Sequence, residues 1–134
     1  PKIDNALFAE TDDKVLTDKA YLLNNIYSNK TVLMLQAKLN SPQCQEIIPT
    51  LMANIKGNLA NLICGKYSNY FLTDLIKRAN KKQKLEILSE IYEQMDKLAN
   101  NQFGSHPIQT LVENTSSKEE IVLIINSVCK KNKL

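Results

Sequence analysis

Residues 59–76 read LANLICGKYSNYFLTDLI, and residues 95–112 read MDKLANNQFGSHPIQTLV. Set over each other at an offset of 36, the two stretches pair Leu62 with Leu98, Ser68 with Gly104, Asn69 with Ser105, Thr73 with Gln109, Leu75 with Leu111 and Ile76 with Val112. The match continues outward. Leu51, Met52 and Ile55 fall over Ile87, Leu88 and Ile91, and Leu85 and Leu88 fall over Ile121 and Ile124. A weaker copy lies at offset 37, where Val32, Leu33, Gln36 and Leu39 fall over Asn69, Tyr70, Thr73 and Ile76. Self-similarity at a fixed spacing of this size marks an array of units, each burying its apolar stripe against the next.

The units are helical. Leu22, Leu23, Ile26 and Tyr27, then Leu33, Leu35 and Leu39, recur at helix spacing and not at strand alternation. Three glycines and four prolines in 134 residues leave too few turn-formers for the hairpins of a sandwich or barrel. Ser41-Pro42 reads as a helix N-cap with proline in the first turn, and Ser117 to Glu120 has capping-box spacing. Pro49 sits inside a helical run and predicts a break or kink. Residues 1–16 are polar, anchored by Ile3, Leu7, Phe8, Val15 and Leu16, and read as a capping extension. The partition is a cap over 1–18, an atypical unit over 19–55, further units over 56–91 and 92–127, and the start of another copy or a truncated tail over 128–134.

Composition narrows the chemistry. A net charge of +3 permits a nucleic-acid partner without requiring one, and Arg78 is the only arginine, so phosphate contacts would fall to lysine point charges. Lys81, Lys82 and Lys84, like Lys130, Lys131 and Lys133, read as solvated ends. Cys44, Cys64 and Cys129 lie at wide, unequal spacings, matching neither a disulfide framework nor a zinc site, and read as reduced core cysteines. No stretch reaches the roughly 18 apolar residues of a membrane span, and the N-terminus lacks a signal-peptide layout. The chain starts at Pro1 and reads as an excised piece of a longer intracellular protein. No phosphate loop, nucleophile arrangement or paired carboxylates stand out, so no enzyme activity, cofactor, metal or small-molecule substrate is expected.

The polar positions inside the repeat carry the functional signal. Asn69 and Thr73, like Ser105 and Gln109, are four residues apart, which places each pair on one helical face one turn apart. Tyr70 and His106 stand between the members of each pair as flat side chains able to lie against a base. Phe71, Leu72 and Leu75, like Ile108, Leu111 and Val112, are expected to face neighbouring helices. A side chain stacked between two bases sets them about 7 Å apart, and packed helices sit about 8–10 Å apart. The near match lets an extended single strand offer one base per unit, which a duplex with its bases already paired cannot do.

Tyr67 to Thr73 and Phe103 to Gln109 resemble the second-helix signature of Pumilio-homology (PUF) repeats, and Gln36 to Leu39 resembles the corresponding part of that family's first repeat. The resemblance runs from about Tyr21 to the C-terminus. It implies an all-α fold: a right-handed α-solenoid of three-helix repeats, armadillo-like, here a partial crescent whose concave face binds single-stranded RNA one base per repeat. Carried onto this sequence, Ser105 and Gln109 match a pair that reads the adenine edge, with His106 stacking. Asn69 matches half of a uracil-reading pair with Tyr70 stacking, while Thr73 stands where glutamine is usual. Gln36 matches an edge reader, but Val32 and Leu33 replace its polar and flat companions. The implied footprint is 5′-A-U-N-3′, the 3′ portion of a longer site. The family also implies messenger RNA 3′ untranslated regions as targets, repression or decay as outcome, protein co-repressors on the convex face, and a cytoplasmic setting.

Two other readings compete. One is a helical-repeat scaffold for protein partners in which RNA readout is degenerate, as Val32, Leu33 and Thr73 hint. The other is a nucleolar relative that binds ribosomal RNA with little base preference.

Overall fold

The computed structural model describes residues 14–115 together with 118, 122, 124 and 126. Helix α1 (Lys19–Asn25) starts at Asp18, whose Oδ1 accepts from the Tyr21 amide at 3.0 Å. Helix α2 (Asn29–Leu39) starts at Ser28, whose Oγ accepts from the Thr31 amide at 3.3 Å. Both are side-chain caps that satisfy otherwise orphaned first-turn donors. Helices α3 (Cys44–Ile55), α4 (Leu59–Ile63) and α5 (Ser68–Arg78) follow. Helix α6 (Lys81–Ile91) opens with a reciprocal capping box between Asn80 and Gln83, both bonds at 2.8 Å. A 3-10 turn (Tyr92–Gln94), α7 (Met95–Ala99) and α8 (Ser105–Glu113) complete the order, with no strand among the described residues.

A short helix and then a longer one recur as α1 and α2, α4 and α5, and α7 and α8, with α3 and α6 closing the first two sets. One contiguous core runs through the stack. It includes Leu35 and Leu39 of α2, Ile48 and Leu51 of α3, Leu62 and Ile63 of α4, Phe71 and Leu72 of α5, Ile87 and Leu88 of α6, and Ile108 and Leu111 of α8. Helix α5 packs along α2 on one flank and along α8 on the other. Gln36 and Asn40 of α2 bond to Asp74 and Arg78 of α5, each pair 38 residues apart, so the two helices run parallel and in register. This side-by-side stacking is the architecture of an α-solenoid.

Links between elements hold the stack. Glu90 of α6 accepts from the Gly57 amide at 2.8 Å and the Leu59 amide at 3.0 Å, placing a carboxylate on the free N-terminus of α4. Gly57 itself sits at φ +89°, a backbone region that costs a side-chain-bearing residue strain. At the start of α8, a Cβ on Gly104 would come within 2.6 Å of the Leu98 carbonyl oxygen. Its counterpart Ser68 instead donates from Oγ to the Leu62 carbonyl at 2.6 Å, so the same junction is closed by a hydroxyl in one copy and by bare backbone in the next.

Several local expectations need correction. Ser41 does not start α3: its Oγ donates to the Lys38 carbonyl at 2.7 Å and closes α2, and α3 begins at Cys44. Helix α3 runs through Pro49 without a break, because Pro49 and Gln45 both face solvent, where water can serve the Gln45 carbonyl that the missing N–H leaves free. Lys84 is buried, not solvated, and its Nζ donates to the Asn114 carbonyl at 2.5 Å, a cation closing the C-terminus of α8. Val112 is 47% exposed although its counterpart Ile76 is fully buried. Ile76 belongs to α5, which packs against both α2 and α8. Cys44 is a buried free thiol, while Cys129, Ser117, the terminal lysines and the cap over 1–13 lie outside the described residues.

The Glu90 clamp joins α6 to α4 across 31 residues of chain and is testable as such. Glu90→Ala strands two amide donors and is expected to lower stability by about 1–3 kcal/mol, read as a fall in the urea midpoint with an unchanged slope.

Candidate nucleic-acid interface

The second helices α2, α5 and α8 present one exposed row. Leu33 is 57% exposed, Tyr70 is 54% exposed, and His106 is exposed at the same place in α8. Val32 and Asn69, which precede Leu33 and Tyr70, are buried, and Ser105, which precedes His106, is half-buried. One helical turn further on lie Gln36, Thr73 and Gln109, half-buried, half-buried and exposed. Tyr70 and His106 thus stand on neighbouring packed helices at equivalent positions, and Lys77, exposed and seven residues beyond Tyr70, adds positive charge to the same stripe.

The polar partners of that row differ from the sequence expectation. Asn69 is 1% exposed and is not presented outward. Its Nδ2 donates to the Gly65 and Lys66 carbonyls, both at 2.8 Å, so the amide ties down the turn between α4 and α5. Its Oδ1 is the one buried side-chain polar atom without a partner among the described residues. Thr73 donates from Oγ1 to the Asn69 carbonyl at 2.9 Å, and Thr110 donates to the His106 carbonyl at 3.0 Å. Both hydroxyl protons are engaged by their own helices, which leaves those groups only acceptor capacity. Ser105 is half-buried, and Gln109 donates from Nε2 to Glu113 at 2.9 Å.

Between α2 and α5 the arrangement is different. Gln36 donates from Nε2 to Asp74 Oδ2 at 2.9 Å, and Arg78 donates to Asn40 one turn further along. Asp74, Asn40, Arg78 and Glu113 border this surface, with Thr110 buried beneath it, although the internal repeat does not single them out. Their only sequence signal is position: Asp74 and Thr110 share the 36-residue offset, four residues after Tyr70 and His106. Leu33 also borders an open groove of about 920 Å³ with Met34 and Ala37 on the flank of α2 that does not carry Gln36.

No group of three or more His, Cys, Asp or Glu residues that could hold a metal ion occurs among the described residues. Burial pushes the Cys64 thiol up from its ordinary range, against an opposing pull from Lys97, so it stays protonated at neutral pH and is a poor nucleophile.

Inward placement of Asn69 has a pH-dependent consequence. Asn69→Asp turns a carboxylate toward two carbonyls, so the neutral acid is favoured in the folded protein and its pKa rises above the unfolded value. The variant is expected to be less stable than Asn69→Ala at neutral pH. It should recover as pH falls toward about 4, where the protonated acid can again donate. Thermal melts of both variants across that range check the sign.

No family model matches the chain. The Suppressor protein MPT5 of Saccharomyces cerevisiae is 28% identical over 92 residues, a stretch covering 68% of this chain and 11% of that protein. Among solved structures, the RNA-binding domain of yeast Puf5p superimposes with a TM-score of 0.75 at 23% identity, covering 82% of this chain and 30% of that one. Those figures hold for the domain bound to SMX2 RNA and for the domain bound to AAT2 RNA. This chain therefore spans only a fraction of each relative it resembles. Helix order, repeat register and superposition agree, and the chain shares the helical-repeat fold of the yeast Puf5p RNA-binding domain.

Proposed function

We propose that this chain binds single-stranded RNA along the inner row of α2, α5 and α8, one base per helical unit. The observation that carries the reading is the exposure of Tyr70 and His106 at matching positions of two helices packed side by side. Flat side chains about 8–10 Å apart leave room for one base between them. Yeast Puf5p, which shares the fold, has an RNA-binding domain solved with RNA, and that supports the same use of the surface here. Adenine is assigned to Ser105 and Gln109. The uracil assigned to Asn69 is withdrawn, because that amide is committed to the Gly65 and Lys66 carbonyls. The footprint becomes 5′-A-N-N-3′. Messenger RNA 3′ untranslated regions, repression or decay, a cytoplasmic setting and co-repressors on the outer face belong to this same proposal, as does the partition into units at 19–55, 56–91 and 92–127.

Magnitudes decide how to test it. A stacked base contributes roughly 1–3 kcal/mol, and association costs on the order of 4–15 kcal/mol, so this chain alone should bind weakly. Heteronuclear NMR titration at high RNA concentration is the suitable measurement. Tyr70→Ala is expected to weaken binding by about 1–3 kcal/mol whatever the sequence. Gln109→Ala should erase the adenine preference while leaving overall affinity within a few-fold. Binding that ignores Tyr70 and His106 and every change of base would favour the protein-scaffold reading or a base-blind ribosomal RNA mode.

A further inference from the structure

Leu33 and Tyr70 occupy equivalent exposed positions on parallel helices, and the residues one turn beyond them, Gln36 and Asp74, meet across the gap at 2.9 Å. On the proposed RNA-binding reading, on which this inference rests, a base lying between Leu33 and Tyr70 would present its edge to that pair. With Nε2 committed to Asp74, Gln36 has its carbonyl oxygen Oε1 free, and Asp74 has Oδ1 free, since neither atom makes a hydrogen bond among the described residues. Neither atom is buried without a partner, so both are open to solvent. Gln36 and Asp74, joined through Nε2 and Oδ2, thus offer one free acceptor each.

We propose that Asp74 is a specificity determinant, and that the Gln36–Asp74 pair selects a base whose edge offers two donors, guanine in the first place. Guanine presents N1–H and the N2 amine together. Uracil sets two carbonyls around its single N–H and would face the carboxylate with lone pairs. Adenine offers one amine beside an unprotonated ring nitrogen, and cytosine offers one amine. A carboxylate bond to a donor is about twice as strong as a neutral one, so the ranking follows the number of donors. Asp74's counterpart in the next slot is Thr110, whose hydroxyl proton is spent on the His106 carbonyl, and that slot lacks the charged acceptor. Arg78, one turn after Asp74 and bonded to Asn40, brings a compensating positive charge to this flank, which keeps the carboxylate compatible with a polyanion.

The test is an NMR titration of the 134-residue chain with four oligoribonucleotides of form 5′-A-N-X-3′, with X as G, C, U or A and the middle position randomised. The wild type should prefer guanine at X by about tenfold, in the range that one well-formed base pairing confers. Asp74→Asn keeps a carbonyl oxygen for the Gln36 amide, and so keeps the helix–helix link, but replaces the free acceptor with an NH2 donor. The guanine preference should disappear, with an unchanged melting temperature. The proposal is overturned if the four bases rank alike in the wild type while adenine opposite Ser105 and Gln109 is still discriminated. It is equally overturned if Asp74→Asn preserves the ranking. Absence of any RNA-dependent shift removes the binding reading as well.

Discussion

The constraint on which the rest depends is the lateral packing of α2, α5 and α8. None of these helices can bury its apolar stripe alone: Leu35 and Leu39, Phe71, Leu72, Leu75 and Ile76, and Ile108 and Leu111 reach near-zero exposure only because each helix lies against a neighbour and the shorter helices behind it. Once that contact is made, helix spacing is set by side-chain size, and everything on the opposite surface inherits the same spacing. A row of exposed side chains at a regular interval is therefore a by-product of core packing. On the proposed reading, RNA recognition then needs only flat groups in that row.

The same packing decides which polar groups are available. On α5, Ile76 and Asn69 are both buried, whereas on α8 their counterparts Val112 and Ser105 are exposed and half-buried. The buried asparagine serves the nearest backbone acceptors, the carbonyls of Gly65 and Lys66. This serves the amide's two donors, while its Oδ1 stays buried without a partner among the described residues. The threonines at 73 and 110 behave alike for a different reason: a short hydroxyl inside a helix reaches its own preceding turn more easily than anything across the groove. The longer Gln36 and Arg78 instead span to the neighbouring helix or its end. Reach, as much as polarity, sorts the side chains that bind backbone from those that face the groove.

Much of the architecture was legible in the residues. The 36-residue offset between Leu59–Ile76 and Met95–Val112 encodes the stack, since repeated apolar positions have to bury against copies of themselves. The outward position of Tyr70 also followed from its place in the helix. Less legible were ends and links. Ser41 closes one helix where its neighbour Pro42 suggested the start of another, because a serine after the last turn can reach back to Lys38. Lys84 looked like one of a run of solvated lysines, and only its distance from Asn114 reveals a buried cap.

The sequence by itself determined an all-helical repeat and the outward placing of Tyr70 and His106, because periodicity in apolar residues is a one-dimensional property that survives any arrangement of the units. Tertiary structure alone decided that Asn69 turns inward, that Val112 stays open and that Asp74 meets Gln36 from 38 residues away. Those outcomes depend on which flank a neighbouring helix covers, and no local pattern along the chain carries that information.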